Sequence, residues 1–143
     1  MENILLVQGA NMTHLGRRQP EIYGTTTAAQ LDAMLLAHAQ ANRYHLDIFY
    51  THIEGEAIAR LYRAVDDGVH GLVMNPAGFT RNGYALRDCL LALPFPYVEV
   101  HMTHIEKRGY RSVLVDAAVG TVFGFGVNSY VLGLDAMLKL LRK

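Results

Sequence analysis

Five short apolar runs separated by stretches with helical spacing restrict the folds open to this chain more than any other feature. Asn3 to Gln8, Leu46 to Tyr50, Gly71 to Met74, Tyr97 to Val100 and Gly120 to Phe125 read as strands. One helical pattern starts at a cap on Thr26 or Thr27 and runs to about Ala41, with Leu31, Met34, Leu35 and His38 on one face. Others run from Glu54 to Val65 (Ile58, Leu61, Tyr62, Val65), from Tyr84 to Leu93 before Pro94, and from about Asn128 to Leu141. Strands that are apolar nearly throughout are buried on both faces, and strand–helix–strand crossovers are right-handed. The pattern therefore predicts an α/β domain over residues 1–143, with a five-stranded parallel sheet covered by helices on both sides.

Composition narrows the partners. Acidic and basic residues balance at 13 each, and no basic run exceeds Arg17-Arg18, which argues against nucleic acid or an anionic membrane as the main partner. The 143 residues are enough to bury roughly two thirds of the unfolded surface, so a small-molecule site on one globular domain is expected. The lone Cys89 has no internal disulfide partner and disfavours a metal site. With no apolar stretch of ~18 residues and no N-terminal leader pattern, a cytoplasmic protein is expected.

Chemistry gathers in the long loop after the first strand. Residues 8–24 contain Asn11, Arg17, Arg18 and Tyr23, the last held between Pro20 and Gly24. A loop of this length in a compact domain is functional or disordered, and this one opens at the carboxyl end of a strand, where open α/β sheets bind ligands. The same edge collects His52 and Glu54 after strand two, Asn75 after strand three, and Glu99, His101, Thr103 and His104 at strand four. Asn75 before Pro76 is equally suited to shaping a turn. Tyr23 is a candidate base if a guanidinium such as Arg18 stabilises its phenolate. In an extended segment Glu99 and His101 share a face, so the carboxylate can orient an imidazole acting as general acid. The lysines, Lys107, Lys139 and Lys143, offer no site for Schiff-base chemistry.

Several separated segments together carry a resemblance. Gln8-Gly9-Ala10-Asn11, Leu15-Gly16-Arg17-Arg18-Gln19-Pro20-Glu21-Ile22-Tyr23-Gly24, Asn75-Pro76-Ala77-Gly78-Phe79-Thr80, Ala85-Leu86-Arg87-Asp88, Val98-Glu99-Val100-His101 and the helix at Tyr130-Val131-Leu132-Gly133-Leu134 resemble the type II 3-dehydroquinate dehydratases nearly end to end. The resemblance implies a flavodoxin-like fold, a homo-oligomer built as a dodecamer of trimers, and cofactor-free, metal-free anti elimination of water from 3-dehydroquinate. That step serves the shikimate route of aromatic amino acid biosynthesis or quinate catabolism. It further implies Tyr23 as the base, with its pKa lowered by Arg18, and Asn11 as stabilising the enolate through a water. His101 is implied as the acid on the C1 hydroxyl, oriented by Glu99. Asn75 and the main chain at Met102 and Thr103 are implied to hold the substrate carboxylate, and Asp88 to reach toward a neighbouring subunit's site.

Departures from the family pattern bear on specificity. Ala10 stands where the family has a proline that fixes the loop. Arg81 replaces a substrate-binding His, and Glu106 replaces a second His. About three residues are missing between Tyr110 and Ser112, so that Arg108 aligns well and Arg111 stands for a further substrate-contacting Arg. Three readings follow: the dehydratase, an elimination or enolisation enzyme for another carboxylated substrate, and a non-catalytic metabolite-binding relative. A phosphorelay receiver is disfavoured by Gln8-Gly9 and Asn75 where acidic residues belong. A flavin protein is disfavoured because Gly24-Thr25-Thr26-Thr27 has no aromatic sandwich beside it.

Overall fold

A computed structural model describes residues 1–143. Strand β1 (Asn3–Ala10) leads through a 3-10 turn (Met12–His14) to the single-turn helix α1 (Pro20–Tyr23) and then to α2 (Ala28–Asn42). Next come β2 (His45–Tyr50), α3 (Glu54–Asp66), β3 (Gly71–Ala77), α4 (Tyr84–Leu91) and β4 (Tyr97–His101). A second 3-10 turn (Val115–Ala117), β5 (Gly120–Phe123) and α5 (Asn128–Leu141) complete the chain. All strand pairings are parallel in the order β2-β1-β3-β4-β5. The chain leaves β1 toward β2 on one side and returns to β3 on the other, which opens a crevice at the carboxyl ends of β1 and β3.

Side-chain alternation on the strands feeds two apolar layers. Ile4, Leu6, Val73, Val98 and Val100 pack under α2 and α5 with Leu31, Leu35, Tyr130, Leu134 and Met137. Leu5, Val7, Leu72, Met74 and Tyr97 pack under α3 and α4 with Ala57, Leu61, Leu86 and Leu90. Both faces of the sheet are therefore covered, as the uninterrupted apolar runs require. His38, expected on the buried face of α2, is half-buried and bonded to Tyr44 and Asp135, which ties α2 to α5.

Element ends differ from the sequence reading for local reasons. β1 and β3 run on to Ala10 and Ala77, which pair with each other, and the Ala10 carbonyl accepts the Gly78 N–H at 3.2 Å. β5 ends at Phe123, not Phe125, because Gly124 (φ 94) and Gly126 (φ 61) turn the chain through left-handed backbone. α4 ends at Leu91, where the N–H groups of Ala92 and Leu93 bond three residues back, to Cys89 and Leu90.

Thr27, not Thr26, caps α2. Its hydroxyl accepts from Gln30 N–H at 3.1 Å, and the Gln30 side chain accepts from Thr27 N–H at 2.9 Å. Gly16 of the site loop lies against this cap with φ 88, and a Cβ there would stand 2.9 Å from the Thr26 carbonyl oxygen. Thr27→Ala is expected to lower stability by about 1 kcal/mol in denaturant unfolding, with Thr26→Ala close to neutral. Equal effects of the two would show that the cap contributes nothing special.

Candidate active site

A cavity of ≈ 290 Å³ opens at the carboxyl ends of β1, β3 and β4. From the loop after β1 it receives Asn11, Arg18 and Tyr23; from β3 and its turn, Asn75 and Arg81; from β4 and beyond, His101, Thr103, Arg108 and Tyr110. Asn11 sits in left-handed backbone (φ 81), and its N–H donates to His52 Nδ1 at 3.0 Å. The other nitrogen of His52 bonds the Thr13 hydroxyl at 3.1 Å. His52 thus anchors the loop from outside the cavity.

Pro20 at the first position of α1 and Gly24 just beyond its end hold Tyr23 on a one-turn helix at the rim. Arg108 Nη2 donates to the Tyr23 hydroxyl at 3.3 Å. The guanidinium carbons of Arg108 and Arg18 lie 5.4 and 5.5 Å from the ring centroid. Partial burial pushes the phenol's pKa up, but hydrogen bonds and charge from Arg108 and Arg18 outweigh it, so Tyr23 is held below the ordinary tyrosine value. Arg108, expected as a substrate contact, therefore bonds Tyr23 itself.

On β4, Tyr97, Glu99 and His101 follow each other at two-residue spacing on one face. All three are buried, Glu99 completely. Tyr97 donates to Glu99 Oε1 at 2.7 Å, and His101 Nε2 meets Glu99 Oε2 at 2.7 Å. Both carboxylate oxygens are thereby occupied, and His101 Nδ1 is left without a protein partner. Phe123 of β5 packs edge-on against the imidazole at 5.0 Å and restricts its rotation. Tyr97 was not among the expected site residues, although its spacing to Glu99 and His101 was the available signal.

Asn75 is fixed by three contacts. Its carbonyl accepts the Ala77 N–H at 3.0 Å, and its amide donates to the Tyr130 hydroxyl at 2.8 Å and faces Met12 Sδ at 3.7 Å. Tyr130 in turn donates to Gln8 Oε1 at 2.8 Å, so a residue of α5 positions a residue of β3 through β1. Gln8 Nε2 is buried without a partner. The main-chain N–H groups of Met102 and Thr103, at the end of β4, are left without an acceptor from the chain. Asn75 both shapes its turn and lines the cavity, so its two readings are compatible.

Arg81 lies 4.1 Å above the Tyr110 ring, and Arg108 Nη1 donates to both the Thr103 hydroxyl (2.9 Å) and the Tyr110 hydroxyl (3.3 Å). Gly109 (φ 93) reverses the backbone so that Arg108 and Tyr110 line the cavity. Arg111 does not join them: it is 86% exposed and pairs with Glu106 at 3.3 Å outside the cavity. The expected substrate contact from Arg111 is thus corrected, because the next residue of an extended segment points the opposite way. Asp88 lies on the exposed side of α4 and does not line the cavity of its own chain. Glu54 accepts the Leu86 N–H at 2.9 Å and joins α3 to α4, while His104 accepts the Lys107 N–H at the surface.

This arrangement has counterparts among known proteins. The family model described as Dehydroquinase class II matches residues 2–138. A 3-dehydroquinate dehydratase of Xanthomonas campestris pv. campestris (strain 8004) is 40% identical over 146 residues, covering 100% of this chain and 99% of its own length. The crystal structure of type II dehydroquinase from Propionibacterium acnes superposes with a TM-score of 0.92 at 32% identity, covering 97% of each chain. That of Butyrivibrio crossotus DSM 2876 gives 0.93 at 27% identity, covering 95% of this chain and 97% of its own. A model match across almost the whole chain, together with a relative this similar over its full length, shows that the chain belongs to the class II dehydroquinase family.

Proposed function

We propose that this protein is a 3-dehydroquinate dehydratase, a hydro-lyase that removes water from 3-dehydroquinate to give 3-dehydroshikimate without a cofactor. The observation that carries the reading is one cavity holding a phenol acidified by two guanidiniums and an imidazole fixed by a buried carboxylate. The substrate carboxylate accepts from the Asn75 amide hydrogen that otherwise faces Met12 Sδ and from the main-chain N–H groups of Met102 and Thr103. Tyr23, as phenolate, takes the C2 proton beside the ketone, and Asn11 helps hold the enolate oxygen through a water. The C1–O bond then breaks as the imidazolium of His101 gives its Nδ1 proton to the departing hydroxyl, which leaves as water. Nε2 keeps its own proton, hydrogen-bonded to Glu99, which the Tyr97 hydroxyl keeps in place as an acceptor. Arg18 and Arg108 are positioned to stabilise phenolate before the transfer and to favour its return afterwards.

Incubating the purified protein with 3-dehydroquinate is expected to raise the absorbance of a conjugated enone. No rise at high enzyme concentration would remove the reading. The chain is further read as one domain over residues 1–143, cytoplasmic, and assembled as a dodecamer of trimers in which a neighbour's Asp88 approaches the site. A monomer by sedimentation would contradict that assembly.

A further inference from the structure

Three guanidiniums line the cavity, those of Arg18, Arg81 and Arg108, and none has a carboxylate within ion-pair distance. Of the seven arginines outside it, Arg60, Arg63, Arg87, Arg111 and Arg142 each sit against one, and only Arg17 and Arg43 do not. The one carboxylate near the cavity, Glu99, is fully buried, with both oxygens committed to Tyr97 and His101. Three guanidiniums gathered in one cavity with no carboxylate among them thus suit an anionic ligand. Arg18 and Arg108 flank Tyr23 and serve its phenolate, which leaves Arg81 as the cation without a task. The centre of its guanidinium lies 4.1 Å from the centroid of the Tyr110 ring, and Tyr110 is held by the Arg108 N–H on its hydroxyl. A cation–π contact makes no demand on the N–H donors, and none of the Arg81 donors meets an acceptor from the chain. A planar cation held over an aromatic ring, with a fork of unspent donors, matches a carboxylate.

We propose that Arg81, seated on Tyr110, forms a second carboxylate subsite in the cavity, and that dicarboxylates bind there as competitive ligands. One carboxylate takes the Asn75, Met102 and Thr103 end and the other takes Arg81. Arg81 is thus a specificity-determining residue, and small dicarboxylates restrain the enzyme at its own site. The proposal rests on the cavity being the reaction site and does not require that 3-dehydroquinate be the substrate.

The test compares glutarate with glutaramate, which has the same length and one carboxylate replaced by a neutral amide, by calorimetry at constant ionic strength and near-neutral pH. The parent protein is expected to bind glutarate about tenfold more tightly, the worth of one charge-assisted pair. Arg81→Gln is expected to bring the preference below about threefold, and Tyr110→Leu, which keeps the charge but removes the platform, to do the same. Arg63→Gln removes an exposed charge on α3 and is expected to keep the parental preference. A parental preference under about threefold, its survival in Arg81→Gln or Tyr110→Leu, or its loss in Arg63→Gln would overturn the proposal. Turnover is not read, so a protein inactive on 3-dehydroquinate leaves this result interpretable, and a missing preference leaves the dehydratase reading intact.

Discussion

Tyr23→Phe is expected to remove nearly all turnover of 3-dehydroquinate while leaving ligand affinity close to the parental value. The phenol oxygen gains its interaction in the transition state, where it takes the C2 proton, and the ring that meets Arg18 and Arg108 is kept in phenylalanine. Turnover by the parent is expected to rise with pH as the phenol ionises, with a midpoint below the ~10 of a free tyrosine. The sign follows from the two opposed influences. Burial raises the pKa, and the Arg108 and Arg18 hydrogen bonds lower it by more. Arg108→Gln removes part of the lowering and leaves the burial, so the midpoint is expected to move up; Arg18→Ala shifts it the same way. Stopped assays across pH on the three variants check this. A Tyr23→Phe rate within a few-fold of the parent, or an Arg108→Gln midpoint that moves down, would show that Tyr23 is not the base.

How far the sequence could be read depended on the range of the interactions involved. Strands buried on both faces announce themselves as continuous apolar runs, so all five strands and the four long helices were legible, with ends displaced by local events at Gly124 and Ala10. Glu99 and His101 were legible because two-residue spacing on a strand fixes a shared face, and the same rule extends to Tyr97. Arg108 on Tyr23 was not legible as such, since 85 residues separate the two and no periodicity joins them. The same holds for Gln8 with Tyr130, 122 residues apart. Arg81 over Tyr110 depends on the left-handed turn at Gly109, and that one turn also decides that Arg111 faces solvent. Local pattern thus located the site loop and the Glu99–His101 pair, while side chains brought in by separate loops became visible only in three dimensions.

His101→Ala is expected to reduce dehydration by about 10²–10⁴-fold, the range for removing a general acid, because the hydroxyl must then leave without a proton donor. Glu99→Gln should cost less, since it keeps the side chain's shape and weakens only the hydrogen bond that orients the imidazole. Tyr97→Phe leaves Glu99 Oε1 buried without its donor, so it is expected to lower stability by ~1–3 kcal/mol in denaturant unfolding as well as slowing the reaction. Rates alone do not separate an acid from a residue that shapes the cavity. Exchange of the C2 proton does, because it needs the base and the enolate but not departure of the hydroxyl. In deuterated water, His101→Ala is therefore expected to keep exchanging the C2 proton of 3-dehydroquinate while dehydration falls away, whereas Tyr23→Phe loses both. Followed by proton NMR, a His101→Ala protein whose exchange falls as far as its dehydration would place His101 in ligand binding or enolate formation, and the general-acid assignment would fail.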